Sequence, residues 1–275
     1  MRVYNFSAGP SMLPTQVMER AKGEFTDYAN SGCGIMELSH RGSEFTAVIE
    51  RAEKNIREIM NIPESYSVCF IQGGASLQFA MIPMNFLKQG TFAEYADTGS
   101  WSQAAIKQSQ LIGDTRVITS SKASNYDRIP SPKDWKMSPD AAYLHITSNN
   151  TIFGTQYHSF PQSPVPLVAD MSSDIMSKKI DVSKFSLIYA GAQKNLGPSG
   201  VVVVIIKNDF AAKAAEKLPT MLKYSTYIEH KSLYNTPPTF GIYMIALVTD
   251  WIKEKGGLAE IEKINNVKAK LIYDK

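Results

Sequence analysis

Residues 201–206 read Val-Val-Val-Val-Ile-Ile, apolar without exception, between Gly200 and Lys207. A run of this length and character is a strand buried on both faces. Such strands belong to sheets covered by helices on either side. Further short apolar runs are strand candidates at 67–71, 91–96, 116–119, 143–147, 167–169 and 187–189. Helical patterns separate several of them. Phe45, Val48, Ile49, Ala52, Ile56 and Ile59 form one stripe over 43–60, with Ser43 as the expected N-cap. The stretch 75–87 is helical but interrupted at Pro83, and 102–112, 240–253 and 258–272 complete the set. Strands alternating with helices imply an α/β fold with a mostly parallel sheet.

The chain has 275 residues, enough for one large domain or one and a half, and for a sizeable core without disulfides or metal. Its 29 basic and 26 acidic side chains leave a net charge of +3 with no basic block, so neither nucleic acid nor an anionic membrane is an expected partner. No apolar stretch reaches the roughly 20 residues of a membrane helix. The first residues, Met-Arg-Val-Tyr-Asn-Phe-Ser, contain no signal-peptide core. Cys33 and Cys69 are too few for a disulfide framework, which points to a reducing cytoplasm, and with four His they form no metal-ligand spacing. Lys255-Gly256-Gly257 marks a helix stop and hinge before the last helix. The chain then ends abruptly at Lys275, which reads either as a missing C-terminal portion or as a naturally short chain.

In open α/β sheets ligands bind beyond the carboxyl ends of strands. After 67–71 come Gln72-Gly73-Gly74-Ala75-Ser76, either a cup of backbone N–H groups for a phosphate or a tight strand-to-helix turn. No Gly-Lys-Ser/Thr follows, and no Gly-x-Gly-x-x-Gly is present, which excludes a P-loop and a dinucleotide fingerprint. After 167–169 comes Asp170, a ligand carboxylate or a helix N-cap. After 187–189 a single lysine, Lys194, sits among small residues and turn formers. It is a Schiff-base nucleophile if burial lowers its basicity, and an ordinary solvated lysine otherwise. Trp101 either stacks on a ring or fills the core. A phosphate cup, an acid and an amine, each past a strand end, are together what pyridoxal phosphate requires.

Asn5-Phe6-Ser7-Ala8-Gly9-Pro10, Glu37-Leu38-Ser39-His40-Arg41, Gly73 to Phe79, Asp97-Thr98-Gly99-Ser100-Trp101-Ser102, Ala169-Asp170-Met171-Ser172-Ser173, Gly191 to Gly200 and Asn235-Thr236-Pro237-Pro238 occur in this order over nearly the whole chain. In these motifs the sequence resembles the phosphoserine aminotransferase family, fold-type-I pyridoxal phosphate enzymes of aminotransferase class V. The resemblance implies an α/β/α large domain with a mixed, mostly parallel seven-stranded sheet, and a C-terminal small domain largely missing here. Residues 1–15 would pack with that small domain, 16–255 form the cofactor-binding domain, and 256–275 begin the small domain. Lys194 would carry the cofactor and then shuttle a proton. Asp170 would face the pyridine nitrogen, Trp101 stack on the ring, and Thr151 reach the phenolic oxygen. Ala75, Ser76 and Gln193 would hold the cofactor phosphate, joined by Asn235 and Thr236 from the second subunit of a homodimer. His40 and Arg41 would bind the substrate phosphate.

The implied reaction is reversible amino transfer between glutamate and 3-phosphohydroxypyruvate, in serine biosynthesis, with the phosphorylated keto acid of pyridoxine biosynthesis as a second substrate. One branch of the family has Arg where Ser76 stands, so that contact is absent. The family's His-Arg pair and further Arg of the small domain have no counterpart. A cysteine desulfurase would need a cysteine on a late loop, and neither Cys33 nor Cys69 is so placed. An alanine–glyoxylate type enzyme would have no use for His40 and Arg41. A non-catalytic anion binder using the Gly73-Gly74 turn alone would not bind the cofactor at all.

Overall fold

A computed structural model describes residues 2–274. The chain runs α1 (Thr15–Gly23), α2 (Ser43–Met60), β1 (Tyr66–Ile71), α3 (Gly74–Phe86), β2 (Phe92–Asp97), α4 (Ser100–Gln110), β3 (Asp114–Ser120) and β4 (Leu144–Thr147). A small hairpin, β5 (Asn149–Asn150) and β6 (Thr155–Gln156), follows. Then come β7 (Leu167–Asp170), β8 (Leu187–Gly191), β9 (Val202–Lys207), α5 (Asn208–Ala211), α6 (Tyr224–Glu229), α7 (Thr239–Glu254) and α8 (Leu258–Tyr273). Seven strands form one sheet in the order β1-β9-β8-β7-β4-β2-β3. All neighbours are parallel except where β9 meets β1 and β8.

The run that pointed to a sheet covered on both faces is buried on both faces: Val202 to Ile206 are fully enclosed. Yet β9 is the one reversed strand. Its link to β8 is short and helix-free, and a parallel return needs a crossover of about a dozen residues or more. Alternation of side chains splits the core into two layers. Val203, Ile205, Ile188 and Ala190 pack with α2 and α7, whose stripe Phe45, Val48, Ile49, Ala52 and Ile56 is buried. Val202, Val204, Leu187, Tyr189 and Val168 pack on α3 and α6. The fully enclosed middle of the sheet explains why the central strands read as continuous apolar runs.

Two expectations change. Ser43 is the first helical residue of α2 and Gly42 is the N-cap. Pro83 does not interrupt α3, which continues to Phe86, and the carbonyl of Pro83 accepts from Leu87 N at 2.9 Å. Proline removes one donor, but this helix is packed into the core, where tertiary contacts override the local penalty. Because β1, β2, β4, β7 and β8 point the same way, their carboxyl ends gather at one edge of the sheet, and the loops that follow converge there.

Candidate active site

Strand β1 ends at Ile71, and after Gln72 Gly73 (φ +89°) and Gly74 (φ +66°) turn the chain into α3. A Cβ on Gly73 would lie 2.6 Å from Leu77 Cδ2, so the turn admits only glycine there. The first bond of the helix is Leu77 N to Gly73 O, which leaves the N–H groups of Ala75 and Ser76 without helical partners at the positive end. The turn and the cup are thus one structure.

Asp170 closes β7 and is buried, with 4% of its surface exposed. No helix follows it. Its Oδ1 accepts from Ser172 N at 2.9 Å, a tight Asx-type turn rather than an N-cap. Ser172 Oγ in turn accepts from Gly191 N at 3.0 Å and ties the ends of β7 and β8 together. Burial pushes the Asp170 carboxyl up from its ordinary value, against the Ser172 hydrogen bonds and the attraction of Lys194. Past β8, Ala192 N bonds back to Val201 O and the chain loops through Gln193 and Lys194. Burial lowers the basicity of Lys194, opposed by the charges of Asp170 and Asp174.

These groups surround one cavity of about 130 Å3. Gly74, Ala75 and Ser76 line it from α3, and Trp101 from the first turn of α4. Thr151 comes from the β5–β6 turn, Asp170 from β7, and Gln193 and Lys194 from the loop after β8. Lys194 Nζ donates to Thr151 Oγ1. Trp101 is 40% exposed, so it forms a wall of the cavity and not part of the core. His40, Arg41, Asn235 and Thr236 do not line the cavity. They form a separate corner in which Thr236 Oγ1 lies 3.3 Å from His40 Nδ1. His40 Nε2 and Asn235 Oδ1 there are buried without hydrogen-bond partners among the described residues.

Several wall residues were given no site role by the sequence reading. Phe79, Thr147, Asn149, Ser172 and Ser173 line the same cavity. The Asp-x-Ser turn signal could have found Ser172. Thr147 Oγ1 is buried with no partner among the described residues. The motif Asn5 to Pro10 was read in the sequence, but the contact of the N-terminal segment with the lysine loop was not. Ser11 N donates to Gln193 O at 2.8 Å, and Ser11 Oγ donates to Lys194 O. A Cβ on Gly9 would sit 3.1 Å from Lys194 Cγ. These contacts join residues some 183 positions apart and leave no local signal.

The donors present fit pyridoxal phosphate. Free helix-terminal N–H groups suit its phosphate, and a buried acid suits its pyridinium nitrogen. An indole face suits its ring, and an amine of lowered basicity suits its aldehyde. Fold and cavity together define a pyridoxal-phosphate-dependent transaminase. The aminotransferase class-V family matches residues 3–275. The chain is 55% identical to the phosphoserine aminotransferase of Niallia circulans over 99% of its own length and 76% of that protein. It superposes on the solved phosphoserine aminotransferase of Bacillus circulans subsp. alkalophilus with a TM-score of 0.97, at 55% identity, covering 99% of this chain and 76% of that one. The pyridoxal-phosphate-bound enzyme of Trichomonas vaginalis gives 0.95 at 39% identity, covering 99% and 81%. The chain belongs to the phosphoserine aminotransferase family of class-V aminotransferases.

Proposed function

We propose that the chain moves an amino group reversibly between L-glutamate and 3-phosphohydroxypyruvate, giving 2-oxoglutarate and O-phospho-L-serine. The observation that carries this is the meeting of Lys194, Asp170, Trp101 and the start of α3 in one cavity. The substrate pair is supported by the names of the relatives. Bound pyridoxal phosphate supplies an electron-accepting ring that stabilises negative charge at the substrate Cα. The remaining work falls to the protein. Ala75 and Ser76 N–H and the Gln193 side chain hold the phosphate. Asp170 faces the ring nitrogen and keeps a proton on it. Trp101 covers one ring face and excludes water. Thr151 Oγ1 accepts from the lysine amine and would serve the phenolic oxygen of a bound cofactor. Lys194 Nζ anchors the cofactor. When free of the cofactor, its amine would act as the base and acid that moves the substrate Cα proton. Its lowered basicity leaves more of the neutral amine available for that transfer.

His40, Arg41, Asn235 and Thr236 act in the neighbouring site of a homodimer. The support is that they sit together off the chain's own cavity, with buried polar atoms lacking partners. Asn235 and Thr236 reach the cofactor phosphate there, and His40 travels with Thr236. Arg41, exposed on the same corner, offers a planar fork to the substrate phosphate. Residues 16–255 form the cofactor-binding domain, and 1–15 and 256–275 belong with a small domain. The support is α8, where Leu258 and Ile261 join the core while Ile264, Val267, Leu271 and Ile272 are exposed. Activity on the phosphorylated keto acid of pyridoxine biosynthesis, and a cytoplasmic location, complete the reading. Two free cysteines accord with the latter.

Lys194→Ala tests the anchor. The variant should lose the yellow lysine-bound cofactor, resist borohydride fixation and fall to background turnover. Fixation to another lysine would refute the assignment. Phosphoserine should turn over far faster than serine, and equal turnover would remove the phosphate-binding role of His40 and Arg41.

A further inference from the structure

One tyrosine outside the cavity joins two of its walls. Tyr126 lies in the loop after β3, where Ser121 N donates to Asp97 O at 3.1 Å and Tyr126 N donates to Ser121 O at 2.9 Å. It is buried and does not line the cavity. Its φ is +58°, and Asn125 before it has φ +54°. A bulky residue in the left-handed region is strained and persists only where its surroundings over-determine it. Here they do so from two sides. The Tyr126 ring packs on Phe153 at 4.8 Å, in the β5–β6 turn that carries Thr151. Its hydroxyl donates to Asp97 Oδ2 at 3.1 Å, at the end of β2.

Asp97 is the pivot. It is 6% exposed, and hydroxyl groups hold its carboxylate. Ser102 Oγ lies 3.2 Å from Oδ1, and Ser120 Oγ donates to Oδ2 at 2.8 Å beside Tyr126. Ser102 follows Trp101 directly in the first turn of α4. Its oxygen accepts from Thr98 N at 2.9 Å and Gly99 N at 3.0 Å, and its hydrogen is shared between Asp97 Oδ1 and Gly99 O. A serine hydroxyl has one hydrogen and two lone pairs, so this one is fully committed. The backbone before Trp101 and the side chain after it are thereby tied to Asp97. Gln103 Nε2 donates to the Tyr126 oxygen at 2.5 Å. With that acceptor position filled, the phenol hydrogen is directed at Asp97.

We propose that Tyr126 is a positioning residue that acts through Asp97 and Ser102 to hold the Trp101 indole in place over the cofactor ring. The role rests on the assignment of the cavity to pyridoxal phosphate and deepens it. The Phe153 contact and the strained loop fix where the hydroxyl sits, and the hydroxyl fixes the carboxylate that anchors the start of α4. Hydrogen bonds to a charged acceptor are the stronger kind, so the anchor resists displacement.

The test is a double-mutant cycle on cofactor binding. Dissociation constants for pyridoxal phosphate are read from visible absorbance in the wild type, Tyr126→Phe, Trp101→Ala and the double variant. Lys194 still anchors the cofactor without the indole, so all four constants stay measurable. Tyr126→Phe keeps the ring on Phe153 and removes only the hydroxyl. It should weaken binding about five-fold, part of the worth of one hydrogen bond to a charged group. It should also reduce the visible circular dichroism of the bound cofactor. In the Trp101→Ala background the same substitution should change the constant less than about two-fold, because no indole is left to hold. An equal loss in both backgrounds would overturn the proposal, since the hydroxyl would then stabilise the domain and not the indole. An unchanged constant in Tyr126→Phe would overturn it too. Far-ultraviolet circular dichroism checks folding. Should Tyr126→Phe not fold, Gln103→Leu, which removes the donor that aims the phenol at Asp97, enters the same cycle and is judged by the same comparison. A wild-type protein that binds no pyridoxal phosphate would instead remove the cofactor assignment itself, whereas tight wild-type binding with additive losses removes only the role of Tyr126.

Discussion

Gly99 caps α4 two residues before Trp101, with φ 164° and ψ −172°. That backbone is extended, so alanine meets no conformational penalty there and any cost is steric. An added Cβ would lie 2.7 Å from Asn150 Oδ1, 3.1 Å from Asn150 Cγ and 3.3 Å from the Phe153 ring. Asn150 cannot retreat freely. It is 2% exposed, its Nδ2 donates to Thr155 Oγ1 at 3.0 Å, and its Oδ1 accepts from Thr98 Oγ1 at 3.3 Å. Moving it by about half an ångström stretches the turn that carries Thr151, and Thr151 holds Lys194. Overpacking of this kind costs about 1–3 kcal/mol. For a chain of this length that lowers Tm by roughly 2–10 °C. Gly99→Ala should also reduce the rise in Tm that saturating pyridoxal phosphate produces, because Thr151 and Trp101 are displaced together. Gly23→Ala is the control. Nothing lies within 4 Å of its Cβ, and it closes α1, so it should stabilise by about 0.4–1 kcal/mol. Differential scanning calorimetry with and without cofactor measures both quantities. A Gly99→Ala protein with unchanged Tm and an unchanged cofactor increment would show that the β5–β6 turn is soft and does not hold Thr151 in place.

Asp170→Asn should move two readouts in opposite directions. Burial raises the Asp170 carboxyl in the cofactor-free chain, so its favourable contribution exists below the ordinary carboxylate value and is lost as pH rises. At neutral pH the neutral amide should therefore raise the cofactor-free Tm, while the dissociation constant for pyridoxal phosphate rises roughly 10- to 100-fold. A fall in both stability and affinity would contradict this account of the buried charge. His145 carries the opposite sign. Burial lowers it from 6.5 to about 3, so it stabilises above the unfolded value and loses that contribution as pH falls from 6.5 toward 3. Denaturant melts should show His145→Gln flattening the acid limb by up to about 1.4 kcal/mol per pH unit, and an unaltered slope would place a proton on native His145. Cys33 is exposed, whereas Cys69 is buried with its thiol pushed up to about 12. One equivalent of a maleimide should therefore label native protein and two the unfolded chain, with peptide mapping to check that Cys33 reacts first.

Local chemistry accounts for what was legible in the chain. Apolar runs marked the strands, 3.6-residue stripes marked α2 and α7, and the groups just past each strand end lined the cavity. Parallel strands carry such groups to one edge whatever their order in the sheet, so the Gly73–Ser76 turn, Trp101, Asp170 and Lys194 could be brought together without coordinates, whereas Thr151 and Gln193 came only through the family resemblance. Contacts between distant segments were not legible. The reversal of β9, the passage of α3 through Pro83, Ser11 against the Lys194 loop, His40 beside Thr236, and the hydrogen bond between His145 Nε2 and Tyr189 Oη all depend on which segments meet across the sheet or over its edge. A buried histidine and a buried tyrosine read in sequence as ordinary core residues, because hydrogen-bond partners are set by strand order and register, and neither has a period along the chain.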